Sequence, residues 1–264
     1  MRITLAAAVA LAGASHAQLL PFNAAGVTMG HVHLNVSKVD VQKKFWTDLF
    51  GATPLRRAGL EGVKVPGMLI LFTAREPAAP SEGAVVDHFG FKVHNTGEIL
   101  KNCREAGYTT RPVFKGVEGF ANAYIIGPDG VKIEVQEDAS LDGPPAPNHV
   151  HYQVPDATLR DWYVKTFGAA ARKRGILDTA DISTMNLTFS VNRDGKARPG
   201  TKGRALDHVG FEVKDLEKFC KQLEAEGVKF DVPYRKIAPL GIAIAFLSDP
   251  MGGSIELTEG LESF

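Results

Sequence analysis

Gly30-His31-Val32-His33-Leu34-Asn35-Val36 and its later counterpart Asn148-His149-Val150-His151-Tyr152-Gln153-Val154 decide how this chain folds. In each, apolar residues alternate with polar ones, the period of two that marks a strand with one buried face. Each leads into a segment of helical periodicity and then into Phe50-Gly51-Ala52 or Phe167-Gly168-Ala169. A second pair repeats in the same way: Asp87-His88-Phe89-Gly90-Phe91-Lys92-Val93 and Asp207-His208-Val209-Gly210-Phe211-Glu212-Val213. Both members lead to a Pro/Gly turn and a strand holding Ile-Glu, at Ile133-Glu134 and Ile255-Glu256. Self-similarity on this scale signals repeated structural units. The order is 1-2-3-4, with the first unit like the third and the second like the fourth. Two domains follow, 27–138 and 148–260, each of two units. The segment Asp138 to Asn148, with Pro144, Pro145 and Pro147, reads as a stiff linker between them.

After each opening strand the period changes to that of a helix. Val41, Phe45, Trp46 and Leu49 share one face in the first unit. Leu159, Trp162, Tyr163 and Phe167 do so in the third, and Leu216, Phe219, Cys220 and Leu223 in the fourth. Strand-like runs follow at Met68 to Thr73, Ala121 to Ile126, Met185 to Val191 and Gly241 to Leu247. Pro128-Asp129-Gly130 and Pro250-Met251-Gly252-Gly253 are turns that fold the last strand back. The fold class is therefore α+β. The two cysteines, Cys103 and Cys220, fall on amphipathic helices and read as buried free thiols.

Formal net charge is zero, so no basic footprint points to nucleic acid. The short clusters Arg56-Arg57 and Arg172-Lys173-Arg174 read as solvated loop charges. At the start of the chain, Arg2 precedes an apolar run from Ile3 to Gly13. Ser15-His16-Ala17 then places small residues where a signal peptidase cuts. Residues 1–17 are thus expected to be a signal peptide, with a periplasmic or secreted product and no membrane attachment after cleavage. The expected partner is a small-molecule substrate; a homodimer is left open.

The alternation separates two faces in every opening strand. Val32, Leu34 and Val36 oppose His31, His33 and Asn35; Phe89 and Phe91 oppose His88 and Gly90. The apolar face must meet the helices, so the histidines and Glu134 and Glu256 look across the other surface. Solvated sheet faces carry Lys, Glu, Thr and Ser. This one carries six of the eight histidines of the chain, one opening each of the four repeated strands. Two neutral imidazoles and one carboxylate on separate strands can occupy one side of a divalent metal and leave positions for water, substrate or dioxygen.

The paired strands, the Phe-Gly after the helix and the Gly-Pro-Asp-Gly-x-x-Ile-Glu ending resemble the vicinal-oxygen-chelate superfamily, which includes glyoxalase, bleomycin-resistance proteins and extradiol dioxygenases. The resemblance covers nearly all of the chain beyond the leader. It implies four βαβββ modules paired into two open barrels around a divalent metal: Fe(II), Mn, Zn or Ni, with Fe(II) favoured. Carried over by position, the ligands would be His31, His88 and Glu134 in the first half and His149, His208 and Glu256 in the second. Glyoxalase I-type members add an acid from the last strand of the first unit, and Met68 to Thr73 and Met185 to Val191 contain none. Three ligands per site resemble the extradiol dioxygenases more. Those enzymes also place a tyrosine ahead of the final Glu; the first half has Tyr124 there and the second has Phe246. Their late catalytic histidine has no match: Thr73 and Asn192-Arg193 occupy those places. His33 and His151 could each be a general base, a fourth ligand or a hydrogen-bond partner behind the ligands. The expected activity is Fe(II)-dependent oxidation of a small oxygenated or aromatic compound. The alternatives are a glyoxalase I-type lyase or isomerase and a non-catalytic, resistance-type binding protein. Tyr124 points to the first half as the reactive one.

Overall fold

The computed structural model describes residues 19–264; the leader read at 1–17 lies outside them. The first module comprises β1 (Val27–Val36), α1 (Val39–Phe50), β2 (Thr53–Arg57), β3 (Leu60–Val65) and β4 (Met68–Ala74). The second has β5 (Val86–Val93), α2 (Thr96–Glu105), β6 (Thr109–Thr110), β7 (Phe114–Lys115), β8 (Ala121–Ile126) and β9 (Lys132–Glu137). In the third, β10 (Ala146–Val154) and α3 (Thr158–Phe167) precede β11 (Ala170–Arg174), β12 (Leu177–Ile182) and β13 (Met185–Val191). The fourth runs β14 (Leu206–Val213), α4 (Leu216–Ala225), β15 (Phe230–Ile237), β16 (Ile242–Ser248) and β17 (Ser254–Glu259). All four strands expected to open a module do so, and each leads into a helix. Gly51 and Gly168 stop α1 and α3 at left-handed φ of 64° and 61°, which is why glycine follows the phenylalanine in both copies.

The modules pair across the halves. The first sheet is ordered β15-β16-β17-β14-β1-β4-β3-β2 and joins modules one and four. The second, β11-β12-β13-β10-β5-β9-β8-β6 with β7 against β8, joins modules two and three. At each seam the opening strands run antiparallel, β1 on β14 and β10 on β5. Neither sheet closes into a barrel. Helices tie the sheets together: Trp46 and Phe50 of α1 lie 5.8 and 5.1 Å from Phe89 and Phe91 of β5. Likewise Phe167 of α3 stands 5.1 Å from Phe211 of β14. Each such fully buried phenylalanine contributes roughly 1.5–3 kcal/mol. Both cysteines are free and buried.

Two local expectations change. Val41 is exposed, and Gln42 takes its place in the interior of α1. The Gln42 amide accepts from Trp46 Nε1 at 3.1 Å and donates to the Pro128 carbonyl at 3.1 Å, so a polar side chain is satisfied where an apolar one was expected. The basic clusters sit on β2 and β11 rather than in loops, and Arg174 is buried, donating to Glu118 at 2.6 Å. No helix among the described residues is long and apolar enough to cross a membrane.

Candidate metal centres

The histidines and glutamates gather on the faces turned away from the helices, in two clusters. One comprises His31, His33, His208 and Glu256; the other comprises His88, Glu134, His149 and His151. In each, one ligand atom per residue lies within 4.8 Å of all the others. The grouping differs from that expected by halves. His31 meets His208 and Glu256 rather than His88 and Glu134, and His149 meets His88 and Glu134 rather than His208 and Glu256. The cause is the seam: β1 pairs with β14, and β10 with β5, so each cluster straddles two halves of the chain.

In the first cluster, His31 Nε2 and His208 Nε2 both donate to Glu256 Oε2, at 2.9 and 3.0 Å. In the second, His88 Nε2 donates to Glu134 Oε2 at 2.8 Å. His149 Nε2 lies 3.3 Å from the same oxygen without hydrogen-bonding geometry, and neither of its nitrogens has a partner. Glu134 Oε1 accepts from Asn122 Nδ2. His33 and His151 stack on the rings of His208 and His88 at 4.5 and 4.6 Å. Their Nε2 atoms lie 2.8 Å from Thr73 Oγ1 and 2.7 Å from Ser190 Oγ, and their Nδ1 atoms are buried without partners.

Strand defects set this geometry. In the β1–β14 ladder His33 faces His208 but Leu34 faces Leu206, which leaves Asp207 as an extra residue. Asp87 is the extra residue in the same place of the β10–β5 ladder. Neighbouring strand residues ordinarily face opposite ways, but a bulge re-aims side chains. Asp207 and Asp87 thus accept from Nδ1 of the adjacent His208 and His88 at 2.7 and 2.6 Å, fixing each ring with Nε2 toward the cluster. A carboxylate behind a ligating imidazole is the usual support of a metal site. The signal, Asp immediately before His in both copies, was present in the sequence.

Gly210 and Gly90 complete the cradles. A Cβ on Gly210 would stand 2.0 Å from the His31 ring, and one on Gly90 2.3 Å from that of His149. The register also locates the acids that are missing from modules one and three. Glu256 lies opposite Gly210 and Glu134 opposite Gly90; at the equivalent places Leu71 lies opposite His33, and Thr188 opposite His151. Where an acid is absent, the neighbouring strand carries an extra imidazole.

Electrostatics follow from burial and pairing. Burial acts against the His208 cation, but Asp207 and Glu256 outweigh it and raise the pKa to about 9. His88 is raised on the same balance, burial opposed by Asp87 and Glu134. Burial lowers His31, and also lowers His149, to about 4, against the pull of Glu134. His33 and His151 are held well below the ordinary range by burial, then by neighbouring histidines. Glu256 and Glu134 stay ionised: their burial is more than offset by the imidazoles around them. Two anionic carboxylates, each facing neutral imidazoles with buried nitrogens that have no partner, fit a divalent cation in both clusters.

Tyr124 faces Glu134 across the β8–β9 ladder, 5.3 Å from the His88 ring, with Lys132 Nζ 4.3 Å over its own ring. Burial and then Glu134 raise its pKa, so it is a donor and not a base. Phe246 holds the matching place beside His208 at 5.3 Å. A cavity of about 370 Å³ opens onto the first cluster. Leu60, Leu71, Leu240, Ile244 and Phe246 form much of its wall.

The Glyoxalase/Bleomycin resistance protein/Dioxygenase superfamily model matches residues 28–135 and 146–257. Glyoxalase I from Zea mays superposes with a TM-score of 0.75 at 20% identity, covering 90% of this chain and 94% of that one. A Bacillus subtilis protein provisionally assigned as a dioxygenase superposes with a TM-score of 0.66 at 12% identity, covering 93% of this chain and 86% of the other. At such identities the likeness speaks for the fold. No curated protein sequence is significantly similar to this one.

Proposed function

Since the chain belongs to the Glyoxalase/Bleomycin resistance protein/Dioxygenase superfamily, we propose that it is a divalent-metal-dependent enzyme acting on a small oxygenated compound. Turnover is assigned to the cluster of His31, His208 and Glu256. The observation that carries this reading is the apolar cavity that opens onto those three side chains. The three would hold the metal. His33, stacked on His208 and tethered to Thr73, is available as a fourth ligand, because burial and the neighbouring histidines keep it neutral. Asp207 keeps the His208 ring oriented. The apolar wall offers an apolar substrate body a surface beside the charged floor.

When bound, the metal would supply Lewis acidity and, as Fe(II), dioxygen chemistry. Two imidazoles and one carboxylate are the ligand set of non-haem Fe(II) oxygenases, which supports oxidation over isomerisation. A glyoxalase I-type isomerase is the second reading, favoured by the extra imidazole, which fills the coordination sphere further. Export to the periplasm or medium stays part of the proposal, resting on the Arg2-to-Ala17 pattern. Tyr124 had pointed to the first half of the chain. Its phenol stands beside His88 and Glu134, and the cluster those two form with His149 is given the structural role.

Elemental analysis of protein purified without added metal, followed by oxygen-uptake assays of the Fe(II)-loaded protein with a panel of catechols, tests the proposal. Metal content with oxygen uptake lost in His208→Ala is expected. A protein that takes up no divalent metal contradicts the reading. One that holds metal but never consumes oxygen moves it to the isomerase.

A further inference from the structure

The cavity over His31, His208 and Glu256 has one feature that the metal reading does not use. Arg75 lines its mouth. Other arginines near the two sheets are engaged: Arg57 donates to Ser263 and stacks on Phe264, Arg111 pairs with Glu82, and Arg174 with Glu118. The Arg75 guanidinium has neither an ion pair nor a hydrogen bond among the described residues; only its backbone N–H is used, donating to the Val36 carbonyl at 3.0 Å. The module repeat sharpens the contrast. Arg75 follows the Val36–Ala74 pair of the β1–β4 ladder, as Asn192 follows the Val154–Val191 pair of the β10–β13 ladder. Asn192 spends its amide on the Lys196 carbonyl at 2.7 Å. An arginine whose guanidinium has no partner among the described residues therefore lines the cavity over one centre, where the repeat has a buried asparagine whose Nδ2 is held by its own loop.

The walls differ in the same sense. Ile244 and Phe246 flank the Glu256 strand, where Asn122 and Tyr124 flank the Glu134 strand. We propose that the cavity takes an anionic small molecule whose apolar body lies along Leu60, Leu71, Ile244 and Phe246, whose carboxylate or equivalent anion pairs with Arg75, and whose oxygen donors reach the His31, His208 and Glu256 floor. This rests on the metal reading above and deepens it by naming the ligand class. Guanidinium suits the task because it stays charged and offers two parallel donors to a carboxylate.

Zinc-loaded protein is titrated calorimetrically with 3,4-dihydroxyphenylacetate and with its neutral amide, which differ only in the charge of the tail. Metal content is measured on the same samples. The carboxylate is expected to bind roughly tenfold tighter than the amide, and Arg75→Gln to remove that advantage while leaving the amide unchanged, as befits one charge-assisted pair. Equal affinity of the two ligands, no binding of either, or equal weakening of both by Arg75→Gln overturns the inference while the metal reading stands. A protein that takes up no zinc overturns both.

Discussion

His208 shows how one side chain holds the centre together. With no metal bound, its ring donates from both nitrogens, to Asp207 and to Glu256, and its pKa is raised to about 9. A raised folded pKa adds stability that is complete below the unfolded value near 6.5 and is lost as pH rises through 9. His149 works in the opposite sense: lowered to about 4, it binds its proton less readily folded than unfolded, so its effect is lost as pH falls from 6.5 toward 4. Chelator-treated protein should therefore have its highest Tm near pH 6.5 and lose stability toward pH 9. His208→Gln should flatten the alkaline limb, as read by thermal melts across pH. A wild-type Tm that is level from 6.5 to 9 would count against the ion-pair geometry. Metal loading should reverse the alkaline limb, because ligation displaces the protons.

At the scale of elements, the strands were legible and their defects were not. Alternation in 30–36 and 148–154 placed the histidines on one face, and the Phe-Gly ends placed the helix stops, because both follow from local backbone periodicity. A bulge leaves no such periodic trace. The roles of Asp207 and Asp87 became visible only once the ladder showed them as extra residues. Alternation marks Gly90 merely as a face position, yet Gly90 and its counterpart Gly210 are what lets the His149 and His31 rings cross the neighbouring strand. Gly210→Ala should displace His31 and cut bound metal from about two ions per chain to about one, and Gly90→Ala should do the same at the other centre, as read by elemental analysis. Their combination should leave the protein folded by circular dichroism and nearly metal-free. Full metal content in both single variants would show that the imidazoles have another way in.

Over the whole molecule, the sequence repeat revealed four modules but not which of them share a sheet. Repeats of equal hydrophobic pattern can pair within a half or across it, and the alternation is the same either way. The choice lies in long-range contacts: Trp46 and Phe50 pack on Phe89 and Phe91, so modules one and two meet through helices, which leaves their opening strands free to pair with β14 and β10. Each centre is consequently shared between the two halves, and one measurement tests this most directly: the metal content of two double variants prepared side by side. His31→Ala with His208→Ala removes two ligands from one centre, and about one ion per chain should remain. His31→Ala with His88→Ala removes one ligand from each centre, and the protein should hold almost none. The reverse result, with about one ion retained by the His31/His88 pair and none by the His31/His208 pair, would contradict the cross-half assembly of the centres.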